Sequence, residues 1–333
     1  MAPVSLAFMV RRGELELVKP AGPTLREVKR LSDLDDQEGF RFYISLIFFY
    51  WASPRPDDPV RVIRHGLANA LVHYYQVCHC LVDAAGVVQF LQAVGELAGG
   101  MEAPRVRPVW ARELFQARDP PRVQYQHPEY ELPADAANDK LHPGDKLVHS
   151  AFVFGAEEIS VLREQLPPPM RSRCSRFMLL SAFMWRCRTM ALGYEPGDEV
   201  RFMFLMNARV HEKLPKGFYG NALTFGVART TAGELCSATL GGGVELIVAA
   251  MARIMANDYA QSVADALVLR GRPRFTTART YLVTDLTKLK MHEVDLGWGM
   301  PVYGGPASRT MATFHIPAIS VGITVAMCLS PKM

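Results

Sequence analysis

The stretch from Tyr74 to Leu91 constrains this chain most, because it marks where an irregular segment becomes a helix and puts a histidine at the junction. From Asp83 onward, apolar residues fall at Val87, Phe90, Leu91, Val94, Leu97 and Ala98, the spacing of a helix with one buried face. Asp83 is suited to cap that helix and Gly99-Gly100 to stop it. His79 then lies on the approach to the helix, where free N–H groups and the positive dipole end favour a nearby anion or oxyanion. With an unperturbed pKa of about 6.5, its imidazole can act as a base near neutral pH. The His-x-x-x-Asp spacing is weak by itself. A packed histidine ahead of an Asp-capped helix explains it equally well.

With 333 residues, 49% of them hydrophobic, the chain exceeds what one core usually supports, so two domains are expected, with the boundary at 145/146. A net charge of +4 is too mild to call for a nucleic-acid partner, though local basic sites for an anionic ligand remain compatible with it. Cys78, Cys80, Cys174, Cys187, Cys236 and Cys328 form no C-x-x-C pair and no zinc spacing, so neither a bound metal nor a disulfide framework is expected. The apolar run Met1 to Val10 carries its charges, Arg11-Arg12, on the wrong side for a signal peptide, and Ile44 to Ala52 is too short to span a bilayer. The expectation is a cytoplasmic protein with no membrane contact.

In chain order, Leu15 to Val18 reads as a short strand and Phe42 to Trp51, aromatic and β-branched, as a buried one. Pro59 opens a helix with apolar positions at Val62, Ile63, Leu67, Ala70, Leu71 and Val72. Residues 101–145, dense in Pro, Arg, Asp and His, read as a long surface connection. Beyond it come a strand Lys146 to Phe154, a helix Ala156 to Leu166 stopped by Pro167-Pro168-Pro169, and a helix from Ser175 to Leu192. Strands Arg201 to Val210 and Ala222 to Thr230 precede Gly241-Gly242-Gly243, a flexible lead-in to one long helix Val244 to Leu269. Strands Thr280 to Leu286, Ala312 to Pro317 and Gly322 to Leu329 close the sequence. Strands and helices without strict alternation predict a mixed α/β architecture.

Five short elements, in order, sharpen the functional reading. Leu31-Ser32-Asp33-Leu34-Asp35-Asp36-Gln37, His79 to Asp83, Asn207-Ala208-Arg209, Phe218-Tyr219-Gly220-Asn221 and Asp295-Leu296-Gly297-Trp298-Gly299 resemble, respectively, the Leu-Ser-x-Leu-Asp-x-Gln, His-x-x-x-Asp, Asn-x-Arg, Tyr-Phe-Gly-Asn and Asp-Phe-Gly-Trp-Gly elements of the plant BAHD acyl-CoA-dependent acyltransferases. With Pro108-Val109-Trp110-Ala111-Arg112-Glu113-Leu114, the chain is most similar to the benzyl alcohol benzoyltransferase-like branch of that family. The resemblance also shows a gap. After Tyr75 the family continues with several strands before its histidine, whereas here Gln76-Val77-Cys78-His79 follows at once.

The resemblance implies two chloramphenicol-acetyltransferase-like α/β domains, the first incomplete: 1–145, with its connecting segment, and 146–333. It implies a monomer in which His79 sits mid-channel as general base, moving an aromatic or short acyl group from acyl-CoA, the co-substrate, to a small alcohol or amine. By the same resemblance Asp83 pairs with Arg209 and orients the motif, while Asn221, Asp295, Gly297 and Gly299 are structural. Trp298 has two readings open: an indole N–H aimed into the channel, or part of a structural turn with Asp295 in an ion pair. Arg171, Arg173 and Ser175, opening the second-half helix, suit the phosphates of CoA or simply form a solvated basic turn. No G-x-S-x-G elbow accompanies the histidine, which argues against a covalent acyl-enzyme. The alternative is a truncated relative, catalytically impaired or non-enzymatic, because lost strands leave unpaired edges.

Overall fold

The computed structural model describes residues 14–329 except 15, 26, 53–56, 75–78, 135, 137–138, 142–144, 211–213, 308–311 and 319–321. Side-chain caps set where most of its longer helices begin. Asp58 accepts from the Val60 N–H at the start of α1 (Pro59–His73), and Asp83 from the Gly86 N–H at the start of α2 (Ala84–Ala98). Helix α1 lies on α2 so closely that a Cβ at Gly66 would sit 2.4 Å from the Val94 carbonyl oxygen. Only glycine allows that approach.

After β1 (Leu46–Phe49) and these two helices, strand β2 (Val148–Phe154) leads into α3 (Ala156–Glu164), α4 (Pro168–Arg171) and α5 (Arg176–Leu192). Ser175 caps α5 and Gly193, at φ +60°, ends it. Then follow β3 (Glu199–Asn207), β4 (Leu223–Thr231), α6 (Ala232–Ser237), α7 (Leu240–Ile254), α8 (Tyr259–Leu269), β5 (Thr280–Asp285), β6 (Tyr303–Pro306), β7 (Thr313–Pro317) and β8 (Ile323–Leu329).

Six strands form one mixed sheet in the order β2-β8-β7-β5-β3-β4, with β3/β5 and β5/β7 parallel and the other pairs antiparallel. Trp185, Phe202, Phe204, Ile247 and Val283 are buried in the cluster that joins this sheet to α5 and α7. A second cluster, with Tyr74, Val94, Tyr219, Val294 and Leu296, holds α1 and α2 against the 289–298 segment. Strands β1 and β6 stand apart as a two-stranded antiparallel sheet with Leu46 opposite Pro306. The mixed α/β class expected from the sequence is what the chain adopts.

Several local expectations are corrected. Residues 16–18 are not in a strand, and Leu17 is 84% exposed. The strand expected over Phe42 to Trp51 shrinks to four residues with alternating burial, because β6 covers only that length. The connection over 101–145 is not all surface: Arg112, Phe115, His127 and Glu129 are buried, held by bonds to distant segments. Gly241 to Gly243 lie inside α7, capped by Thr239, where glycine lets the helix approach Pro167 and Ala182. The single long helix expected there is two, α7 and α8, bent by 81°, with Asp258 in the left-handed region at the break. Strand β6 carries two glycines and a proline and had no strand signal of its own.

Candidate functional site

His79 sits half-buried in the turn just ahead of α2. Its ring stacks on Phe42 at 4.7 Å between centroids and lies tilted against Phe40 at 4.9 Å. Burial pushes its pKa below the usual histidine value; the negative charge of Asp83 and the residue's own backbone carbonyl pull part of the way back. The ring is therefore a neutral base over more of the acidic range than a free histidine. Nδ1 is buried and, among the described residues, makes no hydrogen bond with another residue. Two clefts, of about 280 and 360 Å³, are lined by Gln124 to Tyr259 residues and by Phe154 to Phe183 residues, and His79 lines neither. Phe40 and Phe42 both pack against the ring. Phe42 belongs to a segment without ladder partners, which leaves its side chain to lie over the imidazole.

Asp83 does not point at His79. Its Oδ1 accepts from the Gly86 N–H at 3.1 Å, and its Oδ2 accepts from Arg209 Nη1 at 2.5 Å and from the Ala222 N–H at 3.0 Å. Arg209 uses its other nitrogen on the Gly220 carbonyl at 2.8 Å. One carboxylate thereby caps α2 and ties it to the start of β4.

Asn221, fully buried, donates from Nδ2 to the His79 carbonyl at 2.8 Å and to Asp35 Oδ1 at 2.9 Å. Asp35 is also ion-paired to Arg112, whose Nη2 donates to the Leu81 carbonyl at 2.8 Å and the Tyr219 carbonyl at 3.1 Å. The His79–Asp83 turn is therefore held at three points: His79 and Leu81 by their carbonyls, Asp83 by its carboxylate. Sequence reading did not single out Asp35 and Arg112 as site residues. Both stand inside elements that it quoted, but nothing in a linear pattern says that a charge will be buried and paired.

The Asp295 to Gly299 element forms a turn of its own. Asp295 Oδ1 accepts from the N–H groups of Gly297 at 2.7 Å and Gly299 at 2.9 Å, and both glycines have positive φ. The ion pair expected for Asp295 is not found among the described residues, because the carboxylate is engaged by its own turn. Its charge, after burial, helps push the Tyr50 phenol up to about 12. Trp298 packs against Tyr50 at 6.3 Å, within the second apolar cluster. A Cβ at Gly95 would fall 1.9 Å from the Asp295 carbonyl oxygen, so this turn rests directly on α2.

Of the three residues suggested for CoA, Arg171 donates to the carbonyls of Leu166 and Glu164, both at 2.8 Å, and Ser175 Oγ accepts from the Met178 N–H at 3.2 Å. Arg173 lies exposed between them. Among the described residues none of the three shares a hydrogen bond, ion pair or ring contact with His79. Among the described residues no group of three or more His, Cys, Asp or Glu is placed to hold a metal.

The model of the Transferase family matches residues 75–333. The chain belongs to the BAHD acyltransferase family. It is 38% identical to benzyl alcohol O-benzoyltransferase of Petunia hybrida, over 97% of this chain and 91% of that one. It is 35% identical to alcohol acyl transferase 2 of Malus domestica, over 99% and 92%. The Petunia alignment runs over 421 positions, more than the 333 residues available here, so many positions of this BAHD relative face no residue. Among solved structures the chain is similar to vinorine synthase, with a TM-score of 0.72 at 17% identity over 95% of this chain and 94% of that one. It is also similar to F. graminearum TRI101 complexed with coenzyme A and deoxynivalenol, with a TM-score of 0.59 at 15% identity, over 77% and 62%. Those two likenesses bear on the fold.

Proposed function

We propose that this chain moves an aromatic or short acyl group from acyl-CoA to the hydroxyl of a small alcohol, or to an amine, with His79 as the general base. The observation that carries the reading is the convergence of Asp83, Arg209, Asn221, Asp35 and Arg112 on the turn that bears His79. A histidine that only packs has no use for so many directional restraints. The names of the BAHD relatives support an alcohol acceptor and the TRI101 complex supports CoA as co-substrate.

In this reading the neutral His79 ring accepts the acceptor's proton as the oxygen attacks the thioester carbonyl; the tetrahedral intermediate collapses, expelling CoA thiolate, which takes a proton from the imidazolium. Base catalysis of this kind contributes typically ~10²–10⁴-fold, the rest coming from alignment and oxyanion stabilisation. Asp83 and Arg209 hold geometry, and Trp298, packed on Tyr50, belongs to the structural turn. Arg173 with the capped start of α5 remains our choice for the CoA phosphates, supported by its exposure and charge. We carry the division at 145/146, a monomeric state and a cytoplasmic location as parts of the same reading.

A second reading, a catalytically impaired relative, is favoured by one specific observation: Phe40 and Phe42 cover the ring that must meet substrate. Thiol release from benzoyl-CoA and acetyl-CoA with a panel of small alcohols separates the two. Turnover that His79→Ala abolishes supports the first. Turnover unchanged by His79→Ala removes it, and no turnover favours the second.

A further inference from the structure

The 118–131 connection and the far end of β4 enclose the cleft of about 280 Å³, with Gln124, Tyr125, Gln126, Arg229, Arg253 and Tyr259 in its wall. Val227, also in the wall, lies four residues along β4 from Leu223, the partner of Asn207 next to the Asp83–Arg209 pair. At the rise of a strand that is roughly 13 Å. The cleft is separate from the His79 site and at the small end of ligand clefts, which run roughly 300–1,000 Å³.

Its charge is one-sided. Arg229 and Arg253 are both exposed, and among the described residues neither is in an ion pair; Arg253 donates only to the Val227 carbonyl, at 2.6 Å. No carboxylate lines the space. Two guanidinium groups facing one small volume repel each other, and an oxyanion between them turns that repulsion into charge-assisted hydrogen bonds. A second feature points the same way. Helix α8 begins in this wall at Tyr259, and Asp258, at φ +60°, makes no side-chain cap bond; the Tyr259 N–H donates to the Ala256 carbonyl at 3.3 Å, which leaves the first-turn N–H groups of Ala260 and Gln261 available. Asp258 is the nearby acid that competes for them. The other wall is apolar: the Tyr125 and Tyr259 rings lie 5.3 Å apart, with Tyr125 using its hydroxyl on the Asn257 carbonyl.

We propose that this cleft binds a small aromatic oxyanion, a single ring bearing one phosphate or carboxylate, with the charged end between Arg229 and Arg253 and the ring against Tyr125 and Tyr259. Such a ligand bridges the connection to β4, α7 and α8 without entering the catalytic turn.

Calorimetric titration of the full chain with phenyl phosphate, and with inorganic phosphate beside it, tests this. The expected result is saturable one-to-one binding, weaker for inorganic phosphate, unaffected by excess CoA, and at least tenfold weaker in Arg229→Gln/Arg253→Gln. A control pair, Arg61→Gln/Arg105→Gln, removes equal charge elsewhere and is expected to bind like the parent. If the double variant melts early, Arg229→Gln alone, which loses no described bond, gives the reading. Unsaturable binding, displacement by CoA, or equal affinity in the Arg229 variants overturns the proposal.

Discussion

The side-chain amide of Asn221 donates a 2.8 Å hydrogen bond to the backbone carbonyl of His79, across 142 residues of sequence. The same amide group and its own backbone N–H are anchored on Asp35, so the histidine's main chain is fixed by a residue itself fixed from the opposite side. Asn221→Ala leaves the His79 carbonyl and Asp35 short of donors. Its expected cost is about 1–3 kcal/mol of stability for the unmet buried groups, with a fall in kcat larger than any change in KM. Steady-state kinetics beside a denaturant titration check both, and an unchanged kcat refutes the positioning role.

Breaking the Asp83–Arg209 pair from either side strands a buried or half-buried charge. Asp83→Asn and Arg209→Ala are each expected to lose about 3–5 kcal/mol, and the double variant much less than their sum. Denaturant midpoints for the three variants decide it; strictly additive losses mean that the pair carries no coupling.

At Gly95 the limit is steric. A Cβ there meets the Asp295 carbonyl oxygen at 1.9 Å, and since both contacting groups are backbone neither can swing aside. Gly95→Ala is expected to push the Asp295 turn off α2 and lower the melting temperature clearly, although alanine favours helix. A melting temperature equal to or above the parent's contradicts this close approach.

His315 is fully buried on β7 with neither ring nitrogen hydrogen-bonded among the described residues, and burial pushes its pKa down to about 4, with Asp285 pulling upward. The unfolded chain binds this proton near pH 6.5 and the folded chain only near 4, so stability is intact above 6.5 and is lost as pH falls through that window. His315→Phe is expected to flatten that slope. Melting temperatures of parent and variant at several pH values between 6.5 and 4 measure it, and parallel curves exclude the histidine as the cause.

The first half of the chain is thinly covered. Tyr43 is 85% and Trp51 76% exposed beside β1, whose only partner among the described residues is β6. Each large apolar side chain left in water forgoes roughly 1.5–3 kcal/mol, against a net stability of about 5–15 kcal/mol. Restoring between Tyr75 and Gln76 the strands that the family resemblance implies there is expected to raise the cooperative melting temperature and the turnover. Equal melting and equal turnover in the two proteins refute the claim.

What the sequence determined by itself was local and periodic. The spacing of Val87, Phe90, Leu91 and Val94 gave α2, the cap at Asp83, Pro59 and the opening at Ser175 gave helix starts, and the alternation over 146–154 and the runs Arg201 to Val210, Ala222 to Thr230 and Thr280 to Leu286 gave strands of the large sheet. Periodicity also made the order of the motifs readable, because short elements carry their signal in neighbouring residues. Tertiary structure alone decided the rest. That Asp35 and Arg112 would be buried as a pair beneath His79 depends on segments 77 residues apart meeting, and burial of a charge leaves no mark on its neighbours in the chain. The strand Tyr303–Pro306, with glycine-rich sequence, exists because β1 offers it a ladder, and α7 and α8 separate because Asp258 turns left-handed where the packing needs an 81° bend. Local propensity sets which elements can form; the long-range contacts, worth more than any propensity, set which of them do.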